Sequence, residues 1–394
     1  MLILEYKVKA KPAQLAAIDE AIRAGKFIRN KALRYWMDNK KVSKYDLNKL
    51  CKQLAKEFTF ANELNSMARQ AHAERAWSSI SKFYENSKKG IKPVGFPKFK
   101  KFARSVEYKT SGWKLIDIKR IKFTDKKGIG LLKLVGSRDL AHYAEKLIKR
   151  VRLIRRADGY YCQLCIAVDR REPLAPTGNT IGLDVGLSSF YTDSNGHKEE
   201  NPKFYRQREA RRKKLARSVS KKEKGSANRK KAINRLARFD LTTSRKRKDH
   251  AVKLALSVMR SNDLVAYEDL RIQNMLKNHC LAKSIADAGW YQFRQWIERY
   301  GEIFGRMTVA VNPAYTSQEC SNCGAIVKKS LSTRTHVCSC GIRMCRDENA
   351  SVNILQKALG TTGHVGTSLL DRVNASREMT TTQLSFGFAE QAIS

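Results

Sequence analysis

Ile181-Gly182-Leu183-Asp184-Val185-Gly186-Leu187, followed by Ser189-Phe190-Tyr191, is the stretch on which the fold turns. It reads as a strand, a tight glycine turn and a second strand. Asp184 interrupts the apolar run, and a buried carboxylate without a partner is costly, so this acid needs a reason. Downstream, Leu264-Val-Ala-Tyr267 is another short apolar strand, closed by Glu268. Ile285 to Phe304 follows as an amphipathic aromatic helix, in which Trp290, Phe293 and Trp296 read as packing residues, and Met307 to Val311 as a further strand. Strands alternating with helices predict an α/β core. A third acid, Asp347, opens the helical run DENASVNILQKAL, where Ala350, Ile354 and Leu355 make an apolar face.

One such acid would be an ordinary cap or turn residue. Three of them at strand and helix ends suggest a metal site, and carboxylates with water suit Mg2+ or Mn2+. Two such ions about 4 Å apart activate a water and stabilise the leaving oxygen of a phosphodiester. Spacing alone does not bring the three acids together, so capping and surface charge stay open for each. Glu348 and Asp269 rank second, and Asp263 reads as a turn residue. Ser188-Ser189 reads as a strand cap, which leaves no candidate for a covalent nucleophile.

The charge of the chain gives that chemistry a substrate. Among 394 residues there are 78 Lys+Arg against 37 Asp+Glu, a formal net charge of +41. Such a chain repels itself unless a polyanion lies against it, and nucleic acid is the obvious one. The densest stretch, Arg206 to Lys248, holds 19 Lys/Arg and three acids, a net +16 that is a poor solvated face. The lysine-rich connector SKKGIKPVGFPKFKK (87–101) is a second candidate for backbone contacts. Tyr84, Phe96 and Phe99 beside it either stack on bases or anchor the linker.

Length predicts two or three domains. Leu2 to Lys9 reads as a strand, and Pro12 opens a helical stretch that lasts to about Tyr84. Short β-branched and aromatic runs from about 96 to 172 predict an antiparallel β domain, a small barrel, which the opening strand joins across the helical insertion. REPLAPTGNT (171–180) marks the next boundary. The Thr- and Ser-rich residues 361–394 read as a disordered tail. The opening residues have no signal-like apolar region, and no run of about 18 apolar residues predicts a transmembrane helix.

Nine cysteines, an odd number, argue for a reducing compartment rather than a disulfide scaffold. Cys320-Ser-Asn-Cys323-Gly and Cys338-Ser-Cys340-Gly, with 14 residues between Cys323 and Cys338, supply four thiols for one closed, structural zinc. The second pair has a one-residue gap, tighter than usual. His336 and Cys345 are alternates for a ligand, while Cys162 and Cys165, in the strand-like YYCQLCIAV, read as core.

Gly182-Leu-Asp184-Val-Gly186, Tyr267-Glu268-Asp269-Leu270, Thr316-Ser-Gln-Glu-Cys320-Ser-Asn-Cys323-Gly324 and Arg346-Asp347-Glu348-Asn349-Ala350 with Asn353-Ile354 resemble, in order, the motifs of the TnpB family. These are transposon-encoded RNA-guided DNA endonucleases related to type V CRISPR effectors. The resemblance runs from the start of the chain to about residue 360. It implies Asp184, Glu268 and Asp347 as the catalytic acids of a RuvC-like nuclease with two Mg2+ or Mn2+ ions, and Cys320, Cys323, Cys338 and Cys340 as zinc ligands.

The multidomain fold it implies is a helical recognition domain (12–95) inserted in a small β-barrel-like wedge domain (1–11 and 96–175). An α/β, RNase H-like nuclease domain (176–312 and 342–360) follows, with an inserted zinc module (313–341). The implied partners are a guide RNA from the transposon end, double-stranded target DNA and the RNA–DNA heteroduplex, bound by a monomer in the cytoplasm or nucleoid of a prokaryote, with no membrane. The implied activity is cleavage of DNA beside a short target-adjacent motif. Guide-dependent DNA binding with little cleavage, as in a repressor, and DNA-strand transfer are the alternatives. Where the family often has Asp-Arg-Asp, this chain has Cys345-Arg346-Asp347, so the proposed ligand is kept and its surroundings change.

Overall fold

The computed structural model describes residues 1–330 and 333–362, which form two compact units, Met1–Arg170 and the chain from Arg171 onward. The predicted tail lies outside the described residues except for Thr361 and Thr362, which end the last helix.

The first unit runs β1 (Leu2–Lys9), α1 (Pro12–Asp38), α2 (Lys44–Glu57), α3 (Thr59–Asn62), α4 (Ser66–Lys88), then β2 (Ser105–Tyr108), β3 (Trp113–Asp117), β4 (Arg120–Phe123), β5 (Leu131–Val135), β6 (Ile148–Arg156) and β7 (Gly159–Ile166). Its seven strands are ordered β2-β6-β7-β1-β5-β4-β3, so the opening strand lies in the middle of the sheet and the four helices are inserted between β1 and β2. Among the described residues no pairing joins the edge strands β2 and β3. The expected barrel is therefore an open antiparallel sheet.

Helix α1 starts where Pro12 removes an N–H that would be orphaned, and Gln14 accepts from the Lys11 amide at 3.0 Å. The Gln14 amide also donates to the Ile129 carbonyl at 2.7 Å, tying the helix start to the loop before β5. Alanines 68, 71, 73 and 76 let α4 approach closely, and its Arg75 reaches the fully buried Glu107 of β2 at 3.1 Å. Glu107 also pairs with Arg150 and Arg152 of β6. These cations, rather than burial, set its carboxyl low, at about 2. Cys162 and Cys165 are buried in β7, where burial raises both thiols. Phe96 of the basic connector packs 5.3 Å from Phe83 and 5.6 Å from Trp36, so it serves as an anchor while half its surface remains exposed.

The second unit runs β8 (Thr180–Val185), β9 (Ser189–Asp193), β10 (Lys198–Glu200), α5 (Phe204–Ser220), α6 (Ala227–Ser261), β11 (Leu264–Glu268), α7 (Ile272–Met275), α8 (Ala282–Ala288), α9 (Trp290–Phe304), β12 (Met307–Val311), β13 (Thr335–Val337), β14 (Arg343–Cys345) and α10 (Arg346–Thr362). Its main sheet is ordered β10-β9-β8-β11-β12, with the first three strands antiparallel and β8, β11 and β12 parallel.

Side chains alternate between the two faces of a strand. Leu183, Val265 and Tyr267 therefore pack with Ala255, Met259, Phe293 and Ile297 of α6 and α9. Leu264 and Ala266 pack on the opposite face with Ile354 and Ala358 of α10. Trp290 and Phe293 are buried on the first of these faces, as the aromatic spacing predicts. The basic helices α5 and α6 form an antiparallel hairpin. Buried Asp287, at the end of α8, accepts from the Tyr205 amide at 2.8 Å and caps α5, which has no side-chain cap of its own.

Candidate active site

Asp184 is the next-to-last residue of β8 and Glu268 the last of parallel β11. The recorded register ends at Tyr267 opposite Leu183, so the two acids stand one step further along neighbouring strands, on the α10 face. Asp347 is the second residue of α10. That helix can lie directly on β8 because residue 182 is glycine. A Cβ there would overlap the Ser351 carbonyl oxygen and stand 2.9 Å from Leu355 Cβ. Ser351 is one helical turn beyond Asp347, so the close approach at Gly182 sets the height at which Asp347 meets the sheet.

Glu268 and Asp347 both lie within electrostatic reach of Asp184. Burial first, then repulsion from Glu268 and Asp347, push the Asp184 carboxyl well above the ordinary carboxylate range, with Arg346 opposing. Burial also raises Glu268, against a 2.6 Å hydrogen bond donated by the buried Thr316 hydroxyl. Asp347 accepts from Arg346 Nη2 at 3.0 Å and Nε at 3.1 Å, and Arg334 lies 3.8 Å away. Like charges held together in a half-buried site resist ionising. Hard oxygen donors in this situation fit a divalent cation, which relieves the repulsion.

The other acids are engaged differently. Asp269 pairs with Arg294, and Glu348 lies 3.1 Å from where a Cβ on Gly196 would be. Asp263 accepts from the Thr177 and Gly178 amides and pairs with Arg306, a turn role.

The four cysteines form a second centre. Cys320, Cys323, Cys338 and Cys340 place their sulfurs within 4.8 Å of one another, and no acid cluster is gathered in this way among the described residues. Cys320 and Cys340 are 3.7 Å apart, and Cys323 and Cys338 3.6 Å. The shortened pair contributes both sulfurs because Gly341, at φ +90°, turns the chain back immediately after it. Backbone hydrogen bonding at Ile342 lowers the Cys340 thiol to about 6. His336 is fully buried and Cys345 bonds Lys198, and neither belongs to the group.

Sequence reasoning gave no role to Asn349 and Asn353, which join the cysteine module to α10. Asn349 accepts from the Ser321 amide at 3.0 Å and donates to the Glu319 carbonyl at 2.7 Å. Asn353 donates to the Thr316 and Glu319 carbonyls at 2.8 and 2.7 Å. Both side chains are buried and lie four residues apart, on one helix face. Two asparagines at that interval inside an apolar helix are the signal that could have found them.

On the α5–α6 hairpin two of the three acids between Arg206 and Lys248 are engaged in ion pairs. Glu209 pairs with Lys213 and Lys283, and Asp240 with Arg212. Lys214, Arg217, Lys221, Lys222, Lys224 and Lys230 remain exposed. Among the described residues, no helix is long and apolar enough to cross a membrane.

Residues 163–279 match the family model described as "Probable transposase", and residues 290–354 the model described as "Cas12f1-like, TNB domain". A protein of Streptomyces pristinaespiralis, named as an RNA-guided DNA endonuclease, is 31% identical over 369 residues, covering 90% of this chain and 89% of its own. "TnpB-like protein L79" of Acanthamoeba polyphaga mimivirus is 27% identical over 195 residues, 46% of this chain and 38% of its own. In the solved "Cas12f1-sgRNA-target DNA complex" a chain superposes with a TM-score of 0.54 at 15% identity, over 87% of this chain and 82% of that one, a likeness of fold.

Proposed function

The chain belongs to the TnpB- and Cas12f-like family of RNA-guided nucleases, and from that membership we propose an RNA-guided DNA endonuclease of a transposon whose catalytic acids are Asp184, Glu268 and Asp347. The observation that carries the residue assignment is the placement of three carboxylates, from β8, β11 and α10, such that burial first and then repulsion from Glu268 and Asp347 keep Asp184 hard to ionise.

Mg2+ or Mn2+, when bound, supplies an activated water and charge neutralisation at the phosphodiester. The protein's own residues hold the site for it. Thr316 orients Glu268, Arg346 orients Asp347, and Gly182 sets the spacing between helix and sheet. The acids act in their ionised form. No side chain serves as nucleophile, so the attacking oxygen comes from water and the products carry a 3′-hydroxyl and a 5′-phosphate.

The four thiols suit one structural zinc. A tetrahedral ion with metal–sulfur bonds of about 2.3 Å sets its sulfurs about 3.8 Å apart, close to the 3.6 and 3.7 Å found. We assign residues 313–341 to that module and 176–312 with 342–360 to the nuclease domain. Residues 12–95 are assigned as the helical recognition domain inserted in the wedge, 1–11 and 96–175. The partners are a guide RNA from the element's end and the target duplex, and the working unit is a monomer in the prokaryotic cytoplasm. The exposed cations of α5 and α6 neutralise phosphates of the RNA or of its hybrid with DNA.

Plasmid cleavage in Mg2+ by protein co-expressed with its locus RNA tests the function, using a guide-matched target with randomised flanks. Cuts that require both the match and a flanking motif are expected. Guide-dependent binding without cuts would replace this reading with a repressor.

A further inference from the structure

The inference rests on the assignment of Asp184, Glu268 and Asp347 as the nuclease acids, and it adds a group that holds the substrate. Asp184 stands opposite Thr192 of β9, and Thr192 opposite Lys198 of β10. Directly opposed residues share a face of the sheet. Glu268, Asp184, Thr192 and Lys198 therefore form one row across β11, β8, β9 and β10, with α10 above it. Two strand spacings separate the backbones of Asp184 and Lys198, about 10 Å, a gap that a lysine side chain can largely span.

The Lys198 ammonium is held beside the site. It donates to Cys345 Sγ at 3.1 Å, and Cys345 ends β14 two residues before Asp347. Asp347 and Glu348 both act on this ammonium electrostatically. The bond fixes where the ammonium stands. The other cations nearby are committed differently, since Arg346 and Arg334 face the Asp347 carboxylate. An anionic backbone brought up to three carboxylates is repelled, and it needs a cation at a set distance from them.

We propose that Lys198, positioned by Cys345, grips a phosphate close to the scissile one on the cleaved DNA strand, and so sets the register of that strand over the acids. The competing role is structural: a lysine that only offsets repulsion among the acids.

Single-turnover cleavage by the guide-RNA-loaded protein at saturating Mg2+ separates the two roles. The substrates carry, one position at a time, an uncharged methylphosphonate near the cut. Lys198→Ala is expected to lower the rate constant about 10- to 100-fold, the range for losing a charge-assisted hydrogen bond, with Lys198→Arg recovering most of it. The wild type should lose a similar factor at one methylphosphonate position, to which Lys198→Ala is indifferent. A Lys198→Ala protein that cuts every substrate at the wild-type rate and merely needs less Mg2+ overturns the inference. Asp184→Ala is the control that locates a failure. If it is inactive while Lys198→Ala is fully active, the phosphate grip alone is wrong. If it is fully active, the acid assignment falls and the inference with it.

Discussion

Gly182 lies so close under the Ser351 carbonyl that no side chain fits between strand β8 and helix α10. The contact joins the element carrying Asp184 to the element carrying Asp347. Both opposing groups, the Ser351 oxygen and the Leu355 amide, are backbone and cannot rotate away. Gly182→Ala is therefore expected to force α10 off the sheet, destabilising the unit by about 1–3 kcal/mol or more. Cleavage should fall further than stability accounts for. Thermal melts and single-turnover rates on the same preparation check this, and unchanged values for both would contradict it.

Asp184 and Glu268 have folded-state values raised above those of an unfolded chain. In the metal-free protein the native state therefore binds more protons than the unfolded state over a window that opens at about pH 4. Stability is fully present below that pH and falls as pH rises through the raised values. Asp184→Asn should flatten the fall and raise the melting temperature of the metal-free protein at neutral pH, by about 2–4 °C for each kcal/mol relieved. Added Mg2+ should stabilise the wild type and not the variant. Calorimetry across pH with and without Mg2+ reads both effects.

One zinc per chain is expected by elemental analysis. Cys320→Ser, at a nearly buried ligand, should lose it. The loss should reach the active site, because Thr316, which bonds Glu268, lies in the segment leading to Cys320 and has its carbonyl held by Asn353 of α10. Asn353→Ala is expected to cost about 1–3 kcal/mol through the Thr316 carbonyl left unpaired, since Asn349 still donates to that of Glu319, and to reduce cleavage while leaving zinc in place. Zinc content, melting and cleavage on the two variants distinguish loss of the metal from loss of the link.

Guide RNA binding should weaken steeply with salt, since each neutralised phosphate releases a counterion. Replacing exposed Lys214, Arg217 and Lys221 by alanine should lower the log–log salt slope by about 0.7–0.9 per lost contact, with little change in melting temperature. A filter-binding titration over a range of salt concentrations checks the slope. An unchanged slope would remove the hairpin from the RNA interface.

The parts of the site legible in sequence were those with a local signature. Asp184 and Glu268 stood out because they break or end short apolar strands, and the cysteines because glycine follows each pair. The parts that were not legible depend on contacts between distant segments. Nothing near Leu2–Lys9 says that this strand pairs with both β7 and β5 in the middle of seven. A barrel and an open sheet share the same alternation, so the missing β2–β3 pairing could not be read. Gly182 read as one residue of a strand, yet its need is set by Ser351, far along the chain. Asp287 gave no sign of capping α5 because its partners, Tyr205 and Arg206, precede it by some eighty residues. Lys198 looked unremarkable, and Cys345 only an alternate metal ligand, until the strand register and their hydrogen bond set them beside the acids.

The most direct test of the central claim uses guide-loaded complexes of Asp184→Asn, Glu268→Gln and Asp347→Asn, each nearly isosteric with the native side chain. Target binding and single-turnover cleavage are measured in Mg2+ beside the wild type. All three are expected to bind the matched duplex as the wild type does and to cut it at least about a thousand-fold more slowly, a barrier increase of about 4 kcal/mol. Cleavage at the wild-type rate by any one of them would remove that carboxylate from the site and contradict the account.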